Sequence, residues 1–271
     1  MKPPSSLDPA ELALEQLKKL LKKQADQRPK YLYTAVTNVP GVREYRYVFW
    51  LDLMGARSAM KLSLPRAARS IMKIHVAALA AIKDYPSVEI NPVMDGVYGY
   101  AKDRASLEDC LKSILTALAQ VFILERFASN RFMVRAGVSY GPLLPGETLA
   151  VGSDILTKNV GYLGGTAIGM AISHAYEAEG NAPPFGVYIH ESARAFAPTG
   201  KDGAPYTTNL WHWCDEDEDG ALLWGLRRTL VQHFDWVNRN PVGSQYDAAA
   251  AQRHKALADE YFELHLVQST Q

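Results

Sequence analysis

The chain has 271 residues, 48% of them hydrophobic, with 29 basic and 29 acidic side chains and a formal net charge of zero. That composition describes a folded protein with a real core and excludes a disordered tail, a general nucleic-acid coat and an electrostatic membrane binder. The two cysteines, Cys110 and Cys214, have no paired spacing, so reduced thiols are expected rather than a disulfide framework or a zinc site. No stretch approaches the roughly 18 apolar residues of a membrane span, and the first residues lack the apolar run of a signal peptide, so a cytoplasmic protein is expected.

Asp8-Pro9-Ala10-Glu11 reads as an N-cap, a proline at the first helical position and an acidic residue bonding back. A helix to about Gln24 follows, with Leu14, Leu17 and Leu21 on one face and lysines around the rest, a solvated rather than a lipid-binding pattern. Residues 1–40 are taken as this helix and a linker. From Tyr45 the run Tyr-Arg-Tyr-Val-Phe-Trp-Leu-Asp-Leu reads as a buried strand, followed by the turn Met54-Gly55-Ala56-Arg57 and a helix from about Pro65 to Asp84.

Strands at Val88–Met94 and Val97–Ala101 flank the hairpin signal Asp95-Gly96, and Pro92 assigns the first of them to an edge or a bulge. Ser106 is expected to cap a helix to about Phe127, before a strand from Arg131 to Tyr140. Further on, a helix is expected over Ala167 to Glu179 and a strand over Gly186 to His190. Strands around Asn209–Trp213 and Ala221–Leu226 would enclose an acidic hairpin tip, Asp215 to Asp219, and a helix near Tyr246 to Leu264 closes the series.

This order is that of an α+β fold with a ferredoxin-like βαββαβ core. Its first and third strands are neighbours, so Asp52 at the end of the first strand and Asp95 in the hairpin should meet at one edge of the sheet. A carboxylate ending a strand as apolar as Phe-Trp-Leu-Asp-Leu is costly to desolvate without a cation or several donors, whereas Asp95-Gly96 taken alone is an ordinary turn. Together they suggest a metal and phosphate site, with the backbone N–H groups of Met54 to Ser58 able to cradle phosphate oxygens.

The residues from Phe49 to Gly55 resemble the metal-binding strand of the class III adenylyl and guanylyl cyclases. Met94 to Tyr100 resembles their second metal-binding hairpin, Val134 to Gly141 their arginine-bearing strand, and Gly165 to Ile168 the lead into their catalytic helix. The match spans roughly Tyr45 to His190. It implies a catalytic core over residues 41–195, with residues 196–271 as an extension of extra strands and a helix packed on it. It also implies a homodimer with active sites at the interface, two manganese or magnesium ions on Asp52, Asp95 and the Leu53 carbonyl, and phosphate contacts from Gly55, Ala56, Arg57 and Arg135. Arg135 read alone is equally a structural ion-pair partner.

Two departures stand out. The family's catalytic helix carries an asparagine and, four residues on, an arginine, where this chain has Gly169 and Ser173. That leaves open a substitute basic residue, slow turnover or a shifted alignment. At the base-reading places stand Asn91 and Tyr162, with Trp50 either stacking on the base or buried in the core. Such altered pockets resemble the bacterial pyrimidine cyclases of Pycsar antiphage defence. That resemblance implies UTP as substrate, cyclic UMP as product and a separate cyclic-nucleotide-activated effector, with no nucleic-acid or membrane partner. Cytidylate or purine cyclisation, or a catalytically inactive module for nucleotide binding or dimerisation, are the alternatives.

Overall fold

The computed structural model describes residues 14–19, 22, 44–151, 153–199, 205–214, 220–244 and 246–263. Residues 14–19 are helical, while the expected cap at Asp8 and the acidic run at Asp215 lie outside the described residues. The chain divides into two compact units, Met1–Gly41 with Gly146–Gly164, and Val42–Pro145 with Gly165–Gln271.

In the second unit β1 (Tyr45–Leu53) runs into two helices, α1 (Ala56–Leu62) and α2 (Leu64–Asp84). The turn therefore ends at Gly55, and Ala56 and Arg57 are already helical, a correction to the expected four-residue turn. Gly55 adopts φ 74°, a left-handed conformation that reverses the strand direction into α1 and that glycine reaches without steric cost. After α2 come β2 (Glu89–Val93), β3 (Gly96–Ala101) and α3 (Arg104–Leu124). Asp103, not Ser106, caps α3: its carboxylate accepts the Ser106 N–H at 2.8 Å. A single 3₁₀ turn at Ala128–Asn130 leads to β4 (Val134–Pro142), and β5 (Leu144–Pro145) follows.

The first unit contributes three short helices, α4 (Gly146–Ala150), α5 (Asp154–Thr157) and α6 (Val160–Leu163), which pack on one another. The second unit resumes with β6 (Ala167–Ile168), paired with β5, then α7 (Met170–Glu179), β7 (Val187–Ile189), α8 (Glu191–Ala195) and β8 (Leu210–Trp211). It ends with α9 (Ala221–Arg239), α10 (Pro241–Ser244) and α11 (Ala248–Phe262).

The main sheet has the order β2-β3-β1-β4-β7-β8, antiparallel except for the β4–β7 pair. Its first four strands are the α+β, ferredoxin-like order, and β2 with Pro92 is an edge. Alternation along β1 divides the faces. Tyr47, Phe49, Leu51 and Leu53 enter the main core with α2 and α3, while Val48 and Trp50 face a smaller cluster with Ala171 and Ala175 of α7.

Residues 221–226, expected as a strand, form the start of α9. The error came from a six-residue window too short to show the period: the buried residues Leu226, Leu230, Phe234 and Val237 recur at helical spacing. This helix exists to cover α3, whose Leu107, Leu111, Ile114, Leu115, Leu118 and Phe122 are all completely buried and need apolar neighbours on more than one side. Trp213 is fully buried beside it and satisfies its indole N–H on the Phe185 carbonyl at 2.7 Å. Cys110 and Cys214 are buried, and neither is in a disulfide.

Two histidines of this layer, His233 and His254, are 5% and 8% exposed, and burial pushes each down to about 4. Unfolded, they titrate near 6.5. The folded state therefore binds fewer protons between those values, and stability conferred by the neutral rings is present above pH 6.5 and lost as pH falls toward 4. The urea midpoint should drop through that window, and His233→Leu should remove about one proton from the slope, roughly 1.4 kcal/mol per pH unit. A variant with an unchanged slope would contradict the assignment.

Candidate active site

Antiparallel register places Asn91, Tyr98, Trp50 and Gly137 in one row across β2, β3, β1 and β4. Gly96, Asp52 and Arg135 form a second row two residues along β1, about 7 Å away by strand geometry. Both rows occupy the face covered by α7. This helix comes close because β4 has no side chain at Gly137, where a Cβ would lie 2.2 Å from the Ala175 carbonyl oxygen. The Ser139 hydroxyl, buried in β4, donates to the Ala171 carbonyl at 2.5 Å.

The two carboxylates do converge. The Leu53 N–H donates to the Asp95 carbonyl at 3.2 Å, tying the end of β1 to the β2–β3 turn. Asp52 Oδ1 is buried and has no hydrogen-bond partner among the described residues. Burial, then the charges of Asp95 and Glu179, push the Asp52 carboxyl up to about 7, against lowering effects from a Leu53 backbone hydrogen bond and the Arg135 guanidinium.

Gly96 is what allows this approach: a Cβ there would meet the Leu51 carbonyl oxygen at 2.1 Å and Asp52 Oδ1 at 3.1 Å. Gly96→Ala must displace β1 or β3, and overpacking of this kind costs about 1–3 kcal/mol. A lowered melting temperature with loss of any metal affinity is the expected outcome, and a variant melting like wild type would show that the strands are not held this tightly.

Arg135 donates to the Glu179 carboxylate and, through Nη1, to the Gly180 carbonyl at 3.1 Å. Glu179 is 3% exposed; burial raises its carboxyl and Arg135 opposes that shift. It is thus a third carboxylate acting on Asp52, and sequence reasoning missed it. Its only sequence signal is a charged residue ending an otherwise alanine-rich helix face, Ala171, Ala175, Ala178.

The proposed phosphate cradle is narrower than expected, because the Met54 N–H already donates to the Met133 carbonyl at 2.9 Å. Gly55, Ala56 and Arg57 remain at the start of α1, with Gly55 and Arg57 exposed and Ala56 buried. Asn91 is 7% exposed and lies beside Gly165, whose carbonyl accepts from the Tyr98 hydroxyl at 3.2 Å. Trp50 is half-buried between Tyr98, stacked at 5.9 Å between ring centroids, and Tyr176 of α7, edge-on at 5.2 Å. Any base stacking on Trp50 shares the indole with these two rings. Tyr162 is 79% exposed and sits on α6, in the first unit, whereas all the other candidate residues belong to the second.

The departure at the catalytic helix has a structural cause at one position. A Cβ on Gly169 would stand 2.2 Å from the Pro142 carbonyl oxygen, so no asparagine fits there without moving β4 or α7. Ser173 is exposed, and α7 carries no lysine or arginine at all.

Among the described residues no group of three or more His, Cys, Asp or Glu side chains is arranged to hold a metal ion. What fits a hard divalent cation is the Asp52–Asp95 pair itself: oxygen donors only, one of them buried and unsatisfied, on a carboxyl that burial first and like charges second push up to about 7. Among the described residues no helix is long and apolar enough to cross a membrane.

No family model matches the sequence, and no curated protein matches it. Solved structures similar to it include the guanylyl cyclase Cya2, at 16% identity and TM-score 0.42, covering 63% of this chain and 98% of that one. An adenylate/guanylate cyclase/hydrolase from Silicibacter pomeroyi matches at 17% identity and TM-score 0.39, covering 54% and 75%. The guanylyl cyclase domain of the RhoGC fusion protein from the aquatic fungus Blastocladiella emersonii, crystallised as a monomeric double mutant, matches at 15% identity and TM-score 0.40, covering 55% and 80%. The likeness is one of fold; the functional reading below rests on the residues of this chain.

Proposed function

We propose that this chain is a nucleotidyl cyclase that converts UTP to 3′,5′-cyclic UMP and pyrophosphate. The observation that carries this reading is the buried, unpartnered Oδ1 of Asp52, set against Asp95 beside the side-chain-free Gly96. Two manganese or magnesium ions on Asp52, Asp95 and the Leu53 carbonyl would supply charge neutralisation of the triphosphate and acidification of the ribose 3′-hydroxyl.

The chain's own groups do the rest. Asp52 must lose the proton that burial and its neighbours favour, so the site is set against ionising until a cation enters. Arg135, one strand over, holds positive charge against the phosphates while Glu179 fixes its direction. Gly55, Ala56 and Arg57 offer backbone N–H groups to the phosphate oxygens. Asn91 can give both a donor and an acceptor to a pyrimidine edge, with Trp50 beneath the base; Tyr162 is kept as a base-binding candidate on the family resemblance alone. A homodimer in the cytoplasm, signalling to a separate cyclic-nucleotide-activated effector in antiphage defence, completes the reading.

A second reading, a nucleotide-binding module without turnover, is favoured by the absence of any lysine or arginine from α7. Calorimetric titration with manganese tests the first directly: wild type binds and Asp52→Asn does not. Equal binding by both removes the metal assignment. Tyr162→Ala should narrow the preference for pyrimidine over purine triphosphates in competition kinetics, and an unchanged ratio would remove Tyr162 from the base-binding candidates.

A further inference from the structure

The exposed side of α7 carries Ser173 and, one turn on, Tyr176, which is 57% exposed. Its place over the sheet is set by β4. Gly137 pairs in register with Trp50 of β1, and because it has no side chain the backbone of α7 rests directly on it. A Cβ there would lie 2.2 Å from the Ala175 carbonyl oxygen and 2.3 Å from the Glu179 nitrogen. The Ser139 hydroxyl holds the preceding turn of the helix through the Ala171 carbonyl. The residue after Ala175 is thereby brought to Trp50, and the Tyr176 ring stands edge-on to the indole at 72°.

The other flank of the indole belongs to Tyr98 of β3, nearly parallel to it at 10°, with its hydroxyl tied to the Gly165 carbonyl. Trp50 is half-buried, but its indole N–H is wholly buried and has no hydrogen-bond partner among the described residues. What the indole offers a ligand is therefore carbon surface and not the N–H. Towards β4 that surface has no continuation, because α7 covers Gly137. Towards β3 it ends at the Tyr98 ring. Neither Trp50, Tyr98 nor Tyr176 is charged at neutral pH, so this arrangement reads the size and shape of a flat ring and not its charge.

We infer that Tyr176 is a specificity-determining residue of the base site: its ring bounds the Trp50 surface on the α7 side, so that a one-ring base lies on the indole against the Tyr176 edge and a two-ring base collides with it. This rests on the cyclase reading above, to which it adds the residue that measures the base. Asn91, in the same row across the sheet, reads the hydrogen-bonding edge, while Tyr176 sets the length. The role belongs to the aromatic ring and not to its hydroxyl, and it does not depend on Tyr162. It also gives the exposed face of α7, which has no basic residue at Ser173, a use one turn further along the helix.

The test is calorimetric titration of the full chain, with manganese, against 3′-deoxy-UTP and 3′-deoxy-ATP, which lack the attacking hydroxyl and so report binding without chemistry. Wild type should prefer the uridine analogue. Tyr176→Ala should lower that preference about tenfold, with tighter binding of the adenosine analogue, and Tyr176→Phe should keep it within about twofold. A residue that merely packs α7 would weaken both analogues together and leave their ratio unchanged, which would overturn the proposal. A ratio that falls equally in Tyr176→Phe would overturn it too, by assigning the effect to the hydroxyl. Melting curves establish that each variant folds; should Tyr176→Ala fail, the ring resonances of Tyr176 in wild type must still shift on saturation with 3′-deoxy-UTP, and unmoved resonances exclude the contact. Cyclic UMP from UTP with an unchanged ratio in Tyr176→Ala fails the Tyr176 assignment alone. The expected ratios without any cyclic product fail the cyclase reading alone, and a chain that binds neither analogue overturns both.

Discussion

Asp52→Asn should abolish cyclisation, by about a thousandfold or more, while making the metal-free protein more stable at neutral and alkaline pH. A thousandfold is about 4 kcal/mol of transition-state stabilisation, the scale expected when a two-metal site loses one anionic ligand without a change in volume. The stability half follows from the same carboxyl. Folded, it titrates at about 7, whereas an unfolded aspartate titrates near 4. Between those values the folded state binds the extra proton, so the stability of metal-free wild type falls as pH rises through the window and the full penalty is present above it. Asparagine cannot ionise and should show no such fall. Saturating manganese should reverse the order, stabilising wild type and leaving the variant unmoved. Melting temperatures at pH 5 and pH 8, with and without manganese, check all four expectations; a variant less stable than metal-free wild type at pH 8 would contradict the electrostatic account.

The second large effect concerns Arg135. Arg135→Met leaves the Glu179 carboxylate buried and unpaired, its side chain only 5% exposed against 21% for the arginine. Removing one partner of a buried pair costs about 3–5 kcal/mol, and the partial exposure of Arg135 places this case at the lower end. The double variant Arg135→Met/Glu179→Gln should recover most of that stability, because no uncompensated charge remains. Activity separates the roles. If Arg135 meets the phosphates, kcat/KM falls about a hundredfold or more in both variants, and restoring stability restores none of it. Turnover that recovers together with stability would make Arg135 a structural ion-pair partner and nothing more.

The strand order was legible because β1 is aromatic and β-branched on both faces, and because Asp95-Gly96 specifies a tight hairpin at one place. From those two features the neighbouring of β1 and β3, and with it the approach of Asp52 to Asp95, follows from topology alone. Glu179 was not legible. It reaches Asp52 through the close packing of α7 on Gly137, and a glycine in a strand does not announce which helix will use the space. A cavity behind the turn after Asp52, lined in part by Met54, Met133 and Trp236, was hidden for a related reason. Its walls come from five separated segments, and the C-terminal layer that closes it was misjudged when the start of α9 was read as a strand. Trp50 shows the limit most plainly: alternation puts it on the face of Asp52, but only the packed structure shows Tyr98 and Tyr176 already against its ring.

If the Asp52–Asp95 site closes a nucleoside triphosphate to its 3′,5′-cyclic form, the product is readable by mass. Purified protein incubated with manganese and each of the four ribonucleoside triphosphates, with products identified by mass, tests it most directly. Cyclic UMP and pyrophosphate from UTP, less product from CTP and little from ATP or GTP, all absent in Asp52→Asn, are the expected result. No cyclic product from any of the four, by a chain that is folded and binds manganese, would contradict it.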